Sequence, residues 1–486
     1  MVRNDTSLGS SLFSILFGSI LLTLLLIILV FFRITGGVLL LGTFAVILYS
    51  LLTFRFKNFG YYAFFLFCFL YPSIQLYTGF TQFGVILDSL LLFTVFIGLV
   101  KYRQDVESLK DVYTSKLFWI WTIWLVSALF IQALNFDGVN WMSFIYGIRR
   151  VYLNPVGLVL LNIIFIRTKR DFKIALAAVI GGLLLLGLVA ERQSIFGFNS
   201  FENALLSTEF GRTHLIAGTT RYWGGFTDAA GSGVGLALGI IAAIPFLVTK
   251  GSLMKQTSVV ISMLLLFHAS LISGTRAGYG SIAIGAILIA LFYLRGNRQF
   301  LTISSLGISA LILRFTNFGN GIGVIRRVRS AFNPQDESLL VRLVNREKLN
   351  SWLANHPFGG GIGGTYFDRR FQPDSFLSTF PPDGLYVQVK AELGFLGSYL
   401  FQAILLVIAV YMIIKAARMP KNSDSRLWMT ICLALFAGAR VSDYAQMVSF
   451  QFPVVNLLFL TMVGFEKWES WPSIEIFEKK KSAPLF

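Results

Sequence analysis

Cysteine, histidine and charge are all scarce in this sequence. Its two cysteines, Cys68 and Cys432, fall inside apolar runs; that excludes a disulfide framework and reads as two small buried hydrophobes. The three histidines form no ligand spacing with one another, with a cysteine or with a carboxylate pair, so no metal centre built from protein ligands is expected. Charged residues make up only 13% of the chain against 55% hydrophobic, and the mean hydropathy is +0.71. A soluble globular protein of this size has too little apolar interior to hide such a composition. No Pro/Ser-rich linker, low-complexity tract or internal repeat is visible.

What is present is a series of apolar runs near the roughly 20 residues that cross a bilayer as a helix. Ser11 to Phe32, Ile174 to Ala190 and Thr257 to Ser273 are examples. The first is too long for a signal-peptide core, and Arg33-Ile34-Thr35 offers no small-residue cleavage site, so it reads as a retained span. Hydropathy windows place spans near 10–32, 35–53, 60–78, 83–100, 117–134, 149–166, 173–190, 229–248, 256–273, 279–295, 300–315, 387–416, 427–442 and 449–465. The expected fold is therefore an all-α polytopic integral membrane protein with about fourteen transmembrane helices. With a cytoplasmic N-terminus, every loop assigned inside is basic, from Arg55/Lys57 through Lys415 to Arg426 and the tail Lys479, Lys480 and Lys481, so both termini are expected to be cytoplasmic. Two long segments then lie outside, 191–228 and 316–386. The expected organisation is a single membrane domain over 1–486 with 316–386 as a helical extracytoplasmic loop subdomain and 191–228 as a shorter loop. Small residues such as Gly231, Gly235 and Gly239 are expected at helix contacts.

The basic residues assigned inside are mostly lysine, whereas those outside are mostly arginine, including Arg149, Arg150, Arg212, Arg221, Arg276, Arg326, Arg327, Arg329, Arg342, Arg346, Arg369, Arg370 and Arg440. A guanidinium is a planar fork of donors that grips phosphate oxygens bidentately. The competing reading has these side chains snorkel to lipid headgroups or pair with Asp336, Glu337 and Glu347. That reading is weakest for Arg221, Arg276 and Arg440, which stand near span ends with few acids beside them in sequence.

Within 316–386, Asn333-Pro334-Gln335-Asp336 reads as a helix start with Asn333 as cap. A helix from there to about Ala354 places Arg342 and Arg346 one turn apart on one face, either as a lid or as part of a binding surface. His356-Pro357-Phe358-Gly359-Gly360-Gly361-Ile362-Gly363-Gly364 follows, where glycines allow close backbone approach or expose N–H donors. Pro381-Pro382-Asp383-Gly384-Leu385-Tyr386 then leads into the next span with Glu392-Leu393-Gly394. Asp383 stands at the mouth either as a general base or as a turn residue.

Four stretches in this order resemble the O-antigen ligase and O-antigen polymerase superfamily of bacterial envelope glycosyltransferases. They are Arg221-Tyr222-Trp223-Gly224-Gly225-Phe226, Ser273-Gly274-Thr275-Arg276-Ala277-Gly278, Arg342 through Trp352 into His356-Pro357-Phe358-Gly359, and Asp383 to Tyr386 into Glu392-Leu393-Gly394. The resemblance implies transfer of a glycan from a polyprenyl (undecaprenyl) diphosphate carrier to a glycan or glycolipid acceptor, on the periplasmic face of the inner membrane, with neither a nucleotide sugar nor a metal or other cofactor. It assigns Arg221 and Arg276 to the departing diphosphate and Asp383 to the acceptor proton. Arg342, Arg346, Arg440 and Tyr386 follow as substrate-binding residues. Core ligases of the family resemble this region but carry a His-Asn pair where Asp383-Gly384 stands, which tilts the reading towards a polymerase. His356 belongs to the Pro-Gly turn and reads as structural. A flippase and a chain-length regulator are the partners a polymerase implies; a nucleic-acid partner is not expected. The alternative of another class, a flippase for lipid-linked oligosaccharide, calls for two related halves and broken or charged spans at mid-membrane, neither of which is evident.

Overall fold

The computed structural model describes residues 44–56, 58–79, 83–102, 106–135, 140–216, 219–249, 251–365, 371–421 and 423–471. The expected span at 10–32, most of that at 35–53, Arg369, Arg370 and the lysines of the tail lie outside these residues. The chain divides into two compact units, 1–61 and 62–486. In the first, α1 (Phe44–Arg55) leads into the start of α2 (Phe59–Thr78), and the Tyr49 hydroxyl donates to the Gly60 carbonyl at 3.0 Å.

The second unit continues α2 and adds α3 (Phe83–Lys101), α4 (Val106–Thr114), α5 (Lys116–Ala133), α6 (Trp141–Ile148), α7 (Asn154–Phe165) and α8 (Lys169–Phe196). A short α9 (Ser200–Leu206) and α10 (Gly211–His214) follow, with an antiparallel ladder of β1 (Leu215–Ile216) on β2 (Thr219–Thr220) that sets Leu215 opposite Thr220. Next come α11 (Ala229–Val248), α12 (Leu253–Ile272), α13 (Arg276–Phe292) and α14 (Gly296–Phe315). The long segment after α14 holds α15 (Gly323–Arg329), α16 (Glu337–Leu353) and α17 (Phe376–Thr379); α18 (Leu385–Arg418), α19 (Asp424–Asp443) and α20 (Val454–Lys467) complete the described helices.

Eight described helical runs are long and apolar enough to cross a membrane: α2, α3, α5, the continuous α6–α7 run, α8, α11, α12 and α18. The chain is thus an all-helical membrane protein in its described residues, apart from the two-residue ladder. Helices α13, α14, α19 and α20 stand where further spans were expected. The run expected at 149–166 begins earlier, at Trp141, because α6 passes through a π-turn at Arg149–Leu153 into α7. That turn is held from outside the helix: Asp88 on α3 accepts from Arg149 and, at 2.6 Å, from Asn154 Nδ2. A buried carboxylate needs such compensation.

Serine, threonine and acidic caps set the helix starts. Thr168 accepts from Asp171 N at 3.0 Å to open α8, Asn199 and Glu202 form a reciprocal capping box on α9, and Asp228 accepts from Gly231 N at 2.6 Å to open α11. Helix α11 is the most enclosed of the eight runs long enough to cross, packed against α8, α12, α13 and α19. Its contacts are as close as small residues permit. A Cβ at Gly278 would stand 2.5 Å from the Gly233 carbonyl, one at Gly235 2.9 Å from the Phe226 ring, and one at Gly239 3.1 Å from Leu183.

The helix expected from Asn333 starts later. Asp336, not Asn333, is its cap, accepting from Leu339 N at 3.1 Å, while Ser330–Phe332 forms a 3-10 turn that ends at Asn333. Only Leu349 and Leu353 of α16 are buried, against Leu377, Phe380, Val387 and Ala391. The glycine run behind α16 serves packing. Helix α18 breaks at Gly394 (φ 66°), and the run fills the break: Gly360 N donates to Ala391 O at 2.9 Å and Gly361 N to Glu392 O at 2.8 Å. A Cβ at Gly394 would collide with the Pro357 carbonyl, and one at Gly359 would stand 2.6 Å from the Glu392 backbone. Glu392 itself is buried and accepts from Tyr152, Thr365 and Gln388 at 2.8–2.9 Å.

Candidate functional site

A cavity of about 400 Å³ opens at the end of the bundle where α11, α13 and α18 begin. Five arginines line it, Arg212, Arg221, Arg276, Arg327 and Arg342, against two carboxylates, Asp228 and Asp383. The first turns of α11 and α13 contribute Ala229, Ala230, Arg276 and Ala277, so the positive ends of two long helices face the same space.

Arg221 is set by the loop that precedes α11. Its backbone N–H donates to His214 O at 2.8 Å, and its side chain crosses Gly274, whose φ of 63° and missing Cβ leave the passage open. Nε donates to Ser273 O at 3.0 Å, Nη1 to Thr213 O at 2.9 Å and Nη2 to Thr275 Oγ1 at 3.0 Å. Among the described residues three of its five donors are used, all on neutral acceptors, which leaves one on each terminal nitrogen. Burial pushes the Arg221 guanidinium down to about 10, Arg327 and Arg276 push the same way, and Asp228 opposes them. It stays charged at neutral pH while crowded by like charge, the electrostatic condition of a group awaiting an anion.

Arg276 heads α13 but is not free of acids, contrary to what its sequence neighbours suggested. It meets Asp336 with Nη2 at 3.0 Å and Nη1 at 2.7 Å and also donates to Ser330 Oγ at 3.1 Å. Burial alone would raise the Asp336 carboxyl, but these bonds and the Leu339 N–H hold it below its ordinary value. The pair ties the start of α13 to the start of α16. Among the described residues Nε and one terminal N–H of Arg276 remain without a partner.

Arg327 donates Nε to Gly274 O at 3.2 Å, and burial, followed by Arg276, lowers its affinity for the proton. Arg342 makes no hydrogen bond among the described residues; burial lowers its proton affinity while Asp383 opposes the fall. Asp383 accepts from Asn345 Nδ2 at 3.0 Å through Oδ2, and Oδ1 has no partner among the described residues. Gly384, with φ of 154°, starts α18 against the carbonyls of Asp443 and Tyr444, which holds Asp383 at the rim. His214 also lines the cavity but is itself buried, stacked on Phe210, with Nδ1 2.8 Å from Phe210 O and Nε2 accepting from Ala229 N at 3.3 Å. Burial lowers its proton affinity, and the contacts describe a neutral Nδ1–H ring.

Four of the residues singled out from sequence, Arg221, Arg276, Arg342 and Asp383, thus share one cavity. Arg346 and Tyr386 do not; they line a separate cavity between α16 and α18. Arg342 and Arg346 stand one turn apart as expected but serve different spaces. Arg440, also expected to lack acids, pairs with buried Asp443 at 2.8 Å and lies over the Phe436 and Phe450 rings, which makes it an internal strut. Arg327, Asp228 and His214 went unselected in the sequence. Arg327 sits in the run Arg326-Arg327-Val328-Arg329, where only the fold reveals which arginine turns to the cavity.

The fold and the site together define an all-helical membrane protein with an arginine-lined, carboxylate-rimmed cavity at one end of its bundle. Residues 261–402 match the model of the family described as O-Antigen ligase. The matched segment runs from α12 into α18 and carries Arg276, Arg327, Arg342 and Asp383; it supports the O-antigen ligase and polymerase superfamily for this chain. Members of that family transfer glycans, which supports an enzyme of that general kind acting on a lipid-linked glycan and an acceptor in a bacterial membrane. No match was found among curated proteins. Among the described residues no group of three or more His, Cys, Asp or Glu side chains could hold a metal ion.

Proposed function

We propose that the chain polymerises lipid-linked oligosaccharide, moving a glycan from a polyprenyl (undecaprenyl) diphosphate carrier to the hydroxyl of an acceptor sugar. The observation that carries this reading is the meeting of Arg221, Arg276, Arg327 and Arg342 with Asp383 around one cavity. In the step, the acceptor oxygen bonds to the anomeric carbon and its proton passes to the free Oδ1 of Asp383. The bond from the anomeric carbon to phosphate oxygen breaks, and the diphosphate leaves with the electron pair. Guanidinium groups fixed before reaction stabilise that growing charge without reorganisation. No metal or nucleotide sugar takes part in this scheme.

The reading includes about fourteen spans, both termini in the cytoplasm, and the cavity facing the periplasm from the inner membrane, since every loop assigned to the opposite side is basic and carries most of the lysine. It keeps 1–486 as one membrane domain, with 191–228 and 316–386 as its outer segments, and a flippase and a chain-length regulator as partners. Asp383-Gly384 in place of a His-Asn pair favours polymerisation; the description of the matched family favours the second reading, ligation to a glycolipid acceptor. Reconstitution with a lipid-diphosphate oligosaccharide and candidate acceptors tests both. A new glycosidic bond with release of carrier diphosphate is expected. Movement of the donor across the bilayer with no new bond overturns the proposal in favour of a flippase.

A further inference from the structure

The second cavity, about 320 Å³, lies between α16, the first turns of α18 and Tyr444. Two cations sit in it. Arg346 donates to the Tyr444 hydroxyl at 2.5 Å and to its carbonyl at 3.3 Å, with the guanidinium 4.2 Å from the ring centre. Lys390 Nζ donates to Asn350 Oδ1 at 2.6 Å and lies 4.3 Å from the Phe395 ring centre. The two are near enough to repel each other, and among the described residues neither pairs with a carboxylate. Two adjacent cations held only by neutral groups and rings are ready for an anion.

Beyond Lys390 the same helix turns apolar and outward. Leu396, Tyr399, Leu406, Val407, Val410, Ile413 and Ile414 are exposed at helical spacing, a stripe that faces hydrocarbon in a membrane. Past the break at Gly394, from Phe395 to Gln402 at the far end of the cavity, the helix advances about 10 Å, so a phosphate at the cations has room for the first part of a lipid chain alongside. The wall between the two cavities is thin. Asn345 and Arg346 are consecutive on α16, and Asn345 holds Asp383. Tyr386 and Tyr444 line the second cavity, while Asp383, Ala445 and Gln446 line the first.

We propose that the second cavity is the acceptor subsite and that the acceptor it takes is a phosphorylated glycolipid. Its phosphate rests on Arg346 and Lys390, its lipid chain runs down the α18 stripe, and its sugar reaches over the wall to Asp383. The inference rests on the glycan-transfer reading above. A second carrier-diphosphate glycan and a phosphorylated glycolipid of another anchor offer the same chemistry.

The test uses the full chain in nanodiscs and one acceptor glycan in three forms: on polyprenyl diphosphate, on a phosphorylated acyl-chain anchor, and lipid-free. Equilibrium binding of each fluorescent acceptor is measured alongside initial transfer rates. The Arg346→Gln/Lys390→Gln variant is expected to weaken binding of at least one lipid-phosphate form about ten-fold and to raise its KM to match. The lipid-free form and the donor KM are expected to shift less than about two-fold. The form that responds identifies the source of the phosphate. Equal loss for the lipid-free form, or no loss for any form, overturns the proposal. If the double variant fails to fold, Tyr399→Lys on the exposed stripe tests the chain path and is expected to weaken only lipid-anchored acceptors; unchanged binding there also overturns it. Absence of transfer in the wild-type protein counts against the glycan-transfer reading alone, because the binding arm needs no turnover.

Discussion

Arg221 is both a ligand candidate and a tie between loops, since it bonds to Thr213, Ser273 and Thr275. Arg221→Lys keeps the charge and loses the fork, so transfer is expected to fall on the order of 10²-fold at unchanged donor and acceptor saturation; a near-normal rate removes Arg221 from the diphosphate site. Arg276 has a second duty that can be separated from the first. Arg276→Ala strands half-buried Asp336 and is expected to cost about 1–3 kcal/mol of stability as well as transfer. Adding Asp336→Asn, which removes the stranded charge and keeps a cap on α16, should restore thermal stability without restoring transfer, and recovery of both would make Arg276 a purely structural residue. Asp383→Asn preserves size and can still accept from Asn345 but cannot take a proton, so the rate is expected to fall roughly 10²- to 10⁴-fold; full activity in that variant sinks the base assignment.

At the scale of elements, the segment 191–228 that carries Arg221 is anchored by one acid. Glu202 is buried and accepts from Arg192, Gln193, the Tyr77 hydroxyl and the Asn199 N–H. Burial alone would raise its carboxyl, but those donors outweigh it and hold it down to about 2 from an ordinary 4.5. The folded state therefore binds this proton less readily than the unfolded chain. Its stabilisation is complete above pH 4.5 and is lost progressively as pH falls towards 2. Thermal melts in detergent are expected to show that loss and to show less of it in Glu202→Gln. The glycines make an opposite pair. Gly394→Ala meets both a positive φ and the Pro357 carbonyl and is expected to abolish folding, whereas Gly181→Ala on α8 meets open space and should be neutral or slightly stabilising by melting temperature.

Element positions were legible in the sequence because an apolar run near span length has few alternatives in a bilayer. The start of α16 and the use of the glycine run were not. Asp336 and Asn333 are both good caps in isolation, and the choice is made by Arg276, sixty residues away in sequence. The glycines could cradle an anion or accept a neighbouring backbone, and only the break at Gly394 in α18 decides for the second. The same limit separates Arg342 from Arg346, because the cavity a side chain lines is a tertiary fact that neighbouring residues do not encode; Asp443, by contrast, stands three residues from Arg440 on one helix, a local pairing the sequence did offer.

On the scale of the whole molecule, the pattern is a division between arginine held for a ligand and arginine spent on the fold. Arg149 and Arg440 are spent on Asp88 and Asp443. Among the described residues Arg221, Arg327 and Arg342 bond to neutral acceptors or to none, and burial first, then the charge of Arg276 and other neighbouring arginines, lowers the proton affinity of each. Arg276 does both. A cluster of this kind loses part of its repulsion when a dianionic group enters, which is the physical basis for placing the diphosphate there. The most direct measurement is a structure of the chain with polyprenyl diphosphate bound. Expected are diphosphate oxygens within about 3.2 Å of Arg221 and Arg276, with Asp383 facing the side from which an acceptor hydroxyl approaches. Diphosphate bound elsewhere, with those guanidinium groups unoccupied, would contradict the assignment of the cavity.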